Sequence, residues 1–130
     1  MNPELLKKLR LPADGRALVL NAPADYLEGL GAQTHTAPDG AGPYPFVQLF
    51  VKDRAEFDAL FLPAVAMVVY DGLFWLCNPK KTGAIASDLS RDIVWDLVRA
   101  GSSGLRPVMQ ISIDETWSAL RFRPAEKVGG

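Results

Sequence analysis

The stretch LFWLCNPKKTG, residues 73–83, changes from apolar to polar in its middle. Its first half has the composition of a buried strand. A proline, two lysines and a threonine then form a loop, and the following segment SDLSRDIVWDLVRAG, residues 87–101, has the apolar spacing of an amphipathic helix. A strand, a loop and a helix in this order favour an α/β fold in which helices connect parallel strands.

The same alternation extends in both directions from this stretch. A helix is predicted over PELLKKLRL, with Leu5, Leu6 and Leu9 on one face, and it is followed by a strand at residues 17–20, a helix over about 24–30 and a strand at 46–51. The next helix begins at Asp53, with Glu56 three residues later, and a break in it is predicted at Pro63. A turn at Asp71-Gly72 follows, and the chain also contains two extended runs, PVMQISID and TWSALRFRP. Residues 33–36 fit either a short strand or a loop. The short gap between the last two runs predicts an antiparallel hairpin.

The helix after the loop that contains Lys80 and Lys81, the lysine loop, is the most regular in the chain. Leu89, Ile93, Leu97 and Ala100 recur about every four residues, and two valines widen the apolar stripe. Ser87 is the predicted cap of the first turn of this helix, and Gly101 is predicted to end the helix.

Composition excludes several classes of protein. The 130 residues suit one domain, over 1–130, with a frayed tail at about 125–130. A net charge of -1 argues against a nucleic-acid-binding role. No apolar run is long enough to cross a membrane and the first residues do not form a secretory signal, so the expected location is the cytoplasm. One cysteine, Cys77, and one histidine, His35, make a metal site unexpected.

The order of elements from Phe46 onward, with VVYDGLFWLCNPKK and a closing hairpin, resembles the later half of a class I methyltransferase-like Rossmann fold. The whole chain looks most like small uncharacterised bacterial proteins with a pared-down fold of this type. The resemblance implies a three-layer Rossmann-like sandwich with a mostly parallel sheet, ending in an antiparallel C-terminal hairpin.

The first strand departs from that family where its cofactor would bind. Methyltransferases of this class have glycines directly after the first strand, whereas this chain has LNAPAD at residues 20–25. The second-strand region, QTHT at residues 33–36, lacks the acidic residue that the family has there. These residues argue against S-adenosylmethionine as a cofactor, and no other cofactor is indicated.

Ligands of open α/β sheets bind outside the carboxyl ends of the strands. This rule, together with Arg91 at a helix start, selects a set of candidate ligand-binding residues. They are Asn21, Lys52, Asn78, Lys80, Lys81, Thr82, Arg91 and Asp114. The two lysines and the start of the next helix form a potential anion-binding site. The alternative is that the lysines keep a loop solvated and that Arg91 pairs with Asp88 on an exposed helix face.

Two functions from different classes follow. The favoured one is a non-catalytic binding domain for a small anionic ligand or a protein partner, because no complete catalytic set is present. The alternative is a minimal or degenerate S-adenosylmethionine-dependent methyltransferase, so catalysis stays open with the balance against it. A third hypothesis is a homodimer formed through the C-terminal hairpin, if that hairpin exposes Trp117 or Phe122.

Overall fold

A computed structural model describes residues 3–10, 16–23, 26, 34–37, 40, 42–81, 85–101 and 103–128. Its α-helices are α1 (Pro3–Leu9), α2 (Arg54–Val65) and α3 (Arg91–Ala100). Its strands are β1 (Ala17–Leu20), β2 (Thr34–His35), β3 (Tyr44–Phe50), β4 (Val68–Pro79), β5 (Leu105–Ser112) and β6 (Trp117–Pro124), and a 3-10 helix covers Ala125–Lys127. The predicted helix at 24–30 lies outside the described residues apart from Tyr26.

The six strands of the described residues form one sheet in the order β2-β1-β3-β4-β6-β5. The pairings from β2 to β4 are parallel, whereas β6 runs antiparallel to both β4 and β5. The predicted α/β class is confirmed. The prediction of a mostly parallel sheet is wrong for the C-terminal half, because β6 is inserted between β4 and β5 and makes the sheet mixed. Since β4 and β5 both oppose β6, they point in the same direction.

Each face of the sheet contributes to its own apolar cluster. One cluster contains α2 and α3 residues, such as Phe61 and Val94, together with Leu76 of β4 and Leu120 of β6. The other contains Leu5 and Leu9 of α1 with alternate residues of the same strands. The reason is the two-residue period of a strand, which sends successive side chains to opposite faces. The central strands are therefore apolar on both sides.

The predicted turn at Asp71-Gly72 lies within β4, where it interrupts the pairing with β3. Asp71 has a left-handed φ of 56°, and a side chain at Gly72 would meet Val69 Cγ2 at 2.8 Å. Arg123 Nε and Nη2 each donate to the Asp71 carboxylate at 2.9 Å. These hydrogen bonds hold the pKa of the Asp71 carboxyl below its ordinary value and fasten the irregular segment to β6.

The predicted start of α2 is confirmed, but the predicted break at Pro63 is wrong. Asp53 caps the helix, and its Oδ1 accepts from the Glu56 amide at 2.9 Å. Helix α2 continues through Pro63 to Val65. A proline removes one amide donor and crowds the preceding turn. Here it is exposed and lies in the last turn, so few helical hydrogen bonds remain beyond it to be disturbed.

Helix α3 begins three residues later than predicted. Ser90, not Ser87, is the cap, and its Oγ accepts from the Ile93 amide at 3.3 Å. Asp88 precedes the helix and accepts from the Arg54 amide at 2.8 Å, so the predicted pairing of Arg91 with Asp88 is wrong. Gly101 ends the helix as predicted.

The C-terminal hairpin is confirmed by the antiparallel pairing of β5 with β6. The exposure on which the dimer hypothesis depended is not found, because Trp117 is 8% and Phe122 0% exposed. Both are buried because β6 is an interior strand and β5 is the edge. Val108 and Met109 of β5 are the exposed apolar residues there. None of the helices in the described ranges has the length and apolarity required to cross a membrane.

Candidate functional site

A row of polar side chains crosses three strands at the carboxyl ends of β4 and β5. Asn78 of β4 lies directly opposite Ser118 of β6, which lies directly opposite Ser112 of β5. Residues that pair directly share a face of the sheet, and this face is the one that Leu76 and Leu120 present to α3. The polar row therefore begins where the apolar core beneath α3 ends.

A cavity of about 340 Å³ lies above this row, between the sheet, the lysine loop and the first turn of α3. Its lining residues are Asn78, Pro79, Lys80, Lys81, Ser90, Arg91, Asp92, Gln110 and Ser118. Four of the eight residues predicted from the sequence, namely Asn78, Lys80, Lys81 and Arg91, are thus brought together in one cavity. It is the position that the rule for open α/β sheets selects.

The cavity has an excess of positive charge. Among the lining residues that the structure describes, Lys80, Lys81 and Arg91 contribute three cations and Asp92 one carboxylate. Lys80 Nζ donates to Ser112 Oγ at 2.6 Å, which holds its ammonium group over the polar row. Arg91 Nε lies 3.3 Å from Asp92 Oδ1, and the guanidinium lies 5.4 Å from the ring centroid of Trp95. Lys81 is exposed and forms no ion pair within the described part of the chain.

The first turn of α3 adds backbone donors to this positive charge. Ser90 Oγ accepts from the third amide of the helix, that of Ile93. The amides of Arg91 and Asp92 precede it and have no acceptor among the residues that the structure describes. Free amides and the helix dipole favour an anion at such an end. The lysine loop and the helix start therefore converge on the same cavity with the same electrostatic preference.

Two predicted residues, Asn21 and Lys52, lie apart at the carboxyl ends of β1 and β3. Asn21 has a left-handed φ of 58°, and its Nδ2 donates to Phe50 O at 2.9 Å and to Glu56 Oε1 at 3.1 Å. The Lys52 amide donates to the same Oε1 at 2.8 Å. The Glu56 carboxylate thus lies between the ends of β1 and β3, and its negative charge disfavours an anion there. The sequence rule therefore selected two clusters, of which only one is cationic.

The remaining predicted residues have other positions. Asp114 Oδ1 accepts from the Thr116 and Trp117 amides at 2.8 and 2.9 Å, so this side chain shapes the hairpin turn. It does not line the cavity. Thr82 lies outside the described residues.

Five residues that line the cavity were not in the predicted set: Pro79, Ser90, Asp92, Gln110 and Ser118. Gln110 and Ser112 alternate along β5, which places both on one face of the strand. Alternating polar residues in a run otherwise rich in apolar ones were therefore a signal in the sequence. Joining them to Asn78 requires the register of β6 against β4, which the sequence does not contain.

Cys77 and His35 do not combine into a reactive site. Cys77 is fully buried beside Gln48, whose Nε2 donates to Sγ at 3.3 Å. Burial raises the pKa of the Cys77 thiol to about 12, which leaves it protonated and a poor nucleophile. His35 lies in the edge strand β2, with its ring 5.5 Å from that of Tyr44. Within the described ranges, His, Cys, Asp and Glu form no group of three suited to a metal ion.

Comparisons with known proteins identify no family for the chain. No protein-family model matches it, and a search of curated proteins gives no match either.

Proposed function

We propose that this chain is a small binding domain and that its ligand is an anion held in the cavity above β4 and β5. One observation carries the proposal: Lys80, Lys81 and Arg91 lie around the cavity with the first amides of α3, which have no acceptor among the described residues, and the described lining includes one carboxylate. Ammonium, guanidinium and helix amides are the groups with which proteins bind phosphate and carboxylate. The alternative, that the lysines only keep the loop solvated, explains the two lysines but explains neither the free helix amides beside them nor the cavity.

The same proposal includes the finer fold assignment, a three-layer Rossmann-like sandwich. The two apolar clusters on opposite faces of the sheet support it, because α2 and α3 contribute to one and α1 to the other. The parallel strands from β2 to β4 support it as well.

A thermal-shift panel tests the function on three proteins: the wild type, the Lys80→Ala/Lys81→Ala variant and the Lys7→Ala/Lys8→Ala variant. The last is a matched control, because it removes an adjacent pair of exposed lysines from α1 and changes the net charge equally. The panel contains inorganic phosphate, common nucleotides, S-adenosylmethionine and S-adenosylhomocysteine. A ligand at a hundred times its dissociation constant stabilises the folded state by about 2.7 kcal/mol, which raises Tm by several degrees.

We expect phosphate or nucleotides to stabilise the wild type and the Lys7/Lys8 control and to have little effect on the Lys80/Lys81 variant. Equal shifts in all three proteins, or no shift with any anion, would contradict the proposal. Stabilisation by the adenosyl compounds alone would instead support the methyltransferase alternative. A mass in solution that rises with protein concentration would support the dimer alternative, with the β5 edge as the candidate surface.

A further inference from the structure

Asn78, which lines the cavity, has a buried side-chain oxygen without a partner in the described part of the chain. Asn78 is 3% exposed, and its Nδ2 donates to Pro79 O at 3.2 Å. This hydrogen bond identifies Oδ1 as the other end of the amide, and Oδ1 is buried without a donor among the described residues. Most buried side-chain oxygens have a partner, so an unpaired one on a residue that lines a cavity indicates a ligand group that supplies the donor.

The position of Asn78 separates two kinds of recognition within one cavity. The cations and the α3 amides come from the loop and the helix start, whereas Asn78 and Ser118 belong to the sheet beneath them. An inorganic anion would satisfy the loop and the helix start but offers Asn78 Oδ1 no suitable donor when fully ionised. A ligand that satisfies both has an anionic end and, some distance from it, a hydrogen-bond donor such as a hydroxyl group.

On these grounds, and resting on the proposed function, we infer that the ligand is a phosphate monoester of a small hydroxylated compound. Its phosphate contacts Lys80, Lys81, Arg91 and the first amides of α3, and one of its hydroxyl groups donates to Asn78 Oδ1. A doubly charged phosphate suits three cations and a helix start better than a single carboxylate does. The volume of about 340 Å³ is near the lower limit of roughly 300 Å³ for ligand pockets, which favours a polyol or sugar phosphate over a dinucleotide.

Titration calorimetry with a matched pair of probes tests this inference. Glycerol 3-phosphate has hydroxyl groups that propyl phosphate lacks, and inorganic phosphate measures the anion site alone. We expect the wild type to bind glycerol 3-phosphate about five- to tenfold more tightly than propyl phosphate, the factor that one buried hydrogen bond provides. In Asn78→Leu, which removes the acceptor and retains a side chain of similar size, this preference should disappear while propyl phosphate still binds.

A second variant guards against misfolding of Asn78→Leu. Ser118→Ala removes the neighbouring hydroxyl with little change in volume and should reduce the preference without abolishing the binding of inorganic phosphate. Equal affinity of the wild type for the two esters would overturn the inference and leave the proposed anion site intact. Failure of all three phosphates to bind would overturn the proposed function itself. A preference that persists in Asn78→Leu would also overturn the assignment of the hydroxyl to this residue.

Discussion

Two buried amide side chains, Gln48 and Asn78, differ in whether their oxygen atoms have hydrogen-bond donors. Gln48 is fully buried, accepts from Tyr26 Oη at 2.9 Å through Oε1 and donates to Cys77 Sγ through Nε2. Asn78 is almost as deeply buried, yet no donor to its Oδ1 lies within the ranges that the structure describes. A satisfied buried amide contributes to stability, whereas an unpaired one costs about 1–3 kcal/mol. Residues that reduce stability in this way occur characteristically at functional sites.

The pair of variants Gln48→Leu and Asn78→Leu tests this contrast. Gln48→Leu should lower the free energy of unfolding by about 1–3 kcal/mol, because it leaves the Tyr26 hydroxyl buried without its acceptor. Asn78→Leu should raise it by about 1 kcal/mol, because an unpaired acceptor is replaced by apolar surface that packs beside Leu76 and Leu120. Urea unfolding of the two variants without ligand gives both values. A loss of more than 1 kcal/mol in Asn78→Leu would contradict the account of its unpaired oxygen.

Among single residues, those next to the end of β4 were predictable from the sequence. Lys80 and Lys81 follow an unmistakable apolar strand, and the rule for strand ends then assigns them to the site. Ser118 was not predictable in this way. It reaches the cavity only because β6 pairs with β4 in a particular register, and register is a property of two distant segments.

At the scale of elements, the start of α3 is determined by packing that occurs before the helix begins. Leu89 is 2% exposed and belongs to the same apolar cluster as Val94. With Ser90 as the cap, these residues occupy the positions of a hydrophobic staple, which fixes the direction in which the chain enters the helix. Ser87 Oγ accepts from the Leu89 amide at 3.0 Å, so it forms a local turn and not a cap.

Replacing each serine by alanine tests which one caps the helix. Ser90→Ala should lower the free energy of unfolding by about 1 kcal/mol, the usual value of a cap, because the Ile93 amide loses its acceptor. Ser87→Ala is the matched control, and a smaller loss is expected because its hydrogen bond lies outside the helix. Urea unfolding of the two variants measures the difference. A larger loss in Ser87→Ala would contradict the assignment.

The sequence alone could not distinguish the two serines, since both precede the same apolar stripe within a few residues. Asp88 adds to the ambiguity, because an acidic residue suits a helix start but here accepts from the first amide of α2, that of Arg54. Competition between two helix starts for one carboxylate depends on their spatial arrangement. Local patterns therefore predicted that α3 exists and where it ends, but not where it begins.

For the whole molecule, three hydrogen-bonded buried polar groups make the free energy of unfolding depend on pH in the alkaline range. The Tyr26 hydroxyl, the Gln48 amide and the Cys77 thiol connect a short segment after β1 to β3 and β4. Burial raises the pKa of Cys77 from 9.0 to about 12 and also raises the pKa of Tyr26. Above pH 9 the unfolded chain thus loses protons that the folded protein retains. The contribution of these groups to the free energy of unfolding is consequently fully present below pH 9 and is lost as the pH rises toward 12.

Comparison of the wild type with Cys77→Ala isolates the contribution of the thiol. In the wild type we expect the free energy of unfolding to fall more steeply above pH 9, with an additional slope approaching about 1.4 kcal/mol per pH unit. Urea unfolding at pH 8, 9, 10 and 10.5 measures both slopes. The lysines and the tyrosines other than Tyr26, whose pKa Cys77 helps to raise, affect the two proteins alike. Parallel curves for the two proteins would show that the thiol ionises as readily in the folded state as in the unfolded one.

The class of the whole fold was predictable, because apolar strands and amphipathic helices alternate visibly along the chain. The mixed sheet was not, since the sequence predicts a hairpin at residues 107–124 without specifying which of its strands joins β4. That choice depends on which strand presents two apolar faces: β6 is buried over most of its length, whereas Val108, Met109 and Gln110 of β5 are exposed. An interior strand requires apolar residues on both faces, and an edge strand does not.

The insertion of β6 between β4 and β5 has a consequence for the order in which the sheet is completed during synthesis. Within the described residues, β5 pairs with no strand other than β6. β5 is therefore synthesised before the strand to which it must bind, and β4 lacks its antiparallel neighbour until Trp117–Pro124 has been added. At roughly 5–20 residues per second the delay is about a second. For that interval the future cavity has no β6 in its floor, and only the arrival of the last strand closes it.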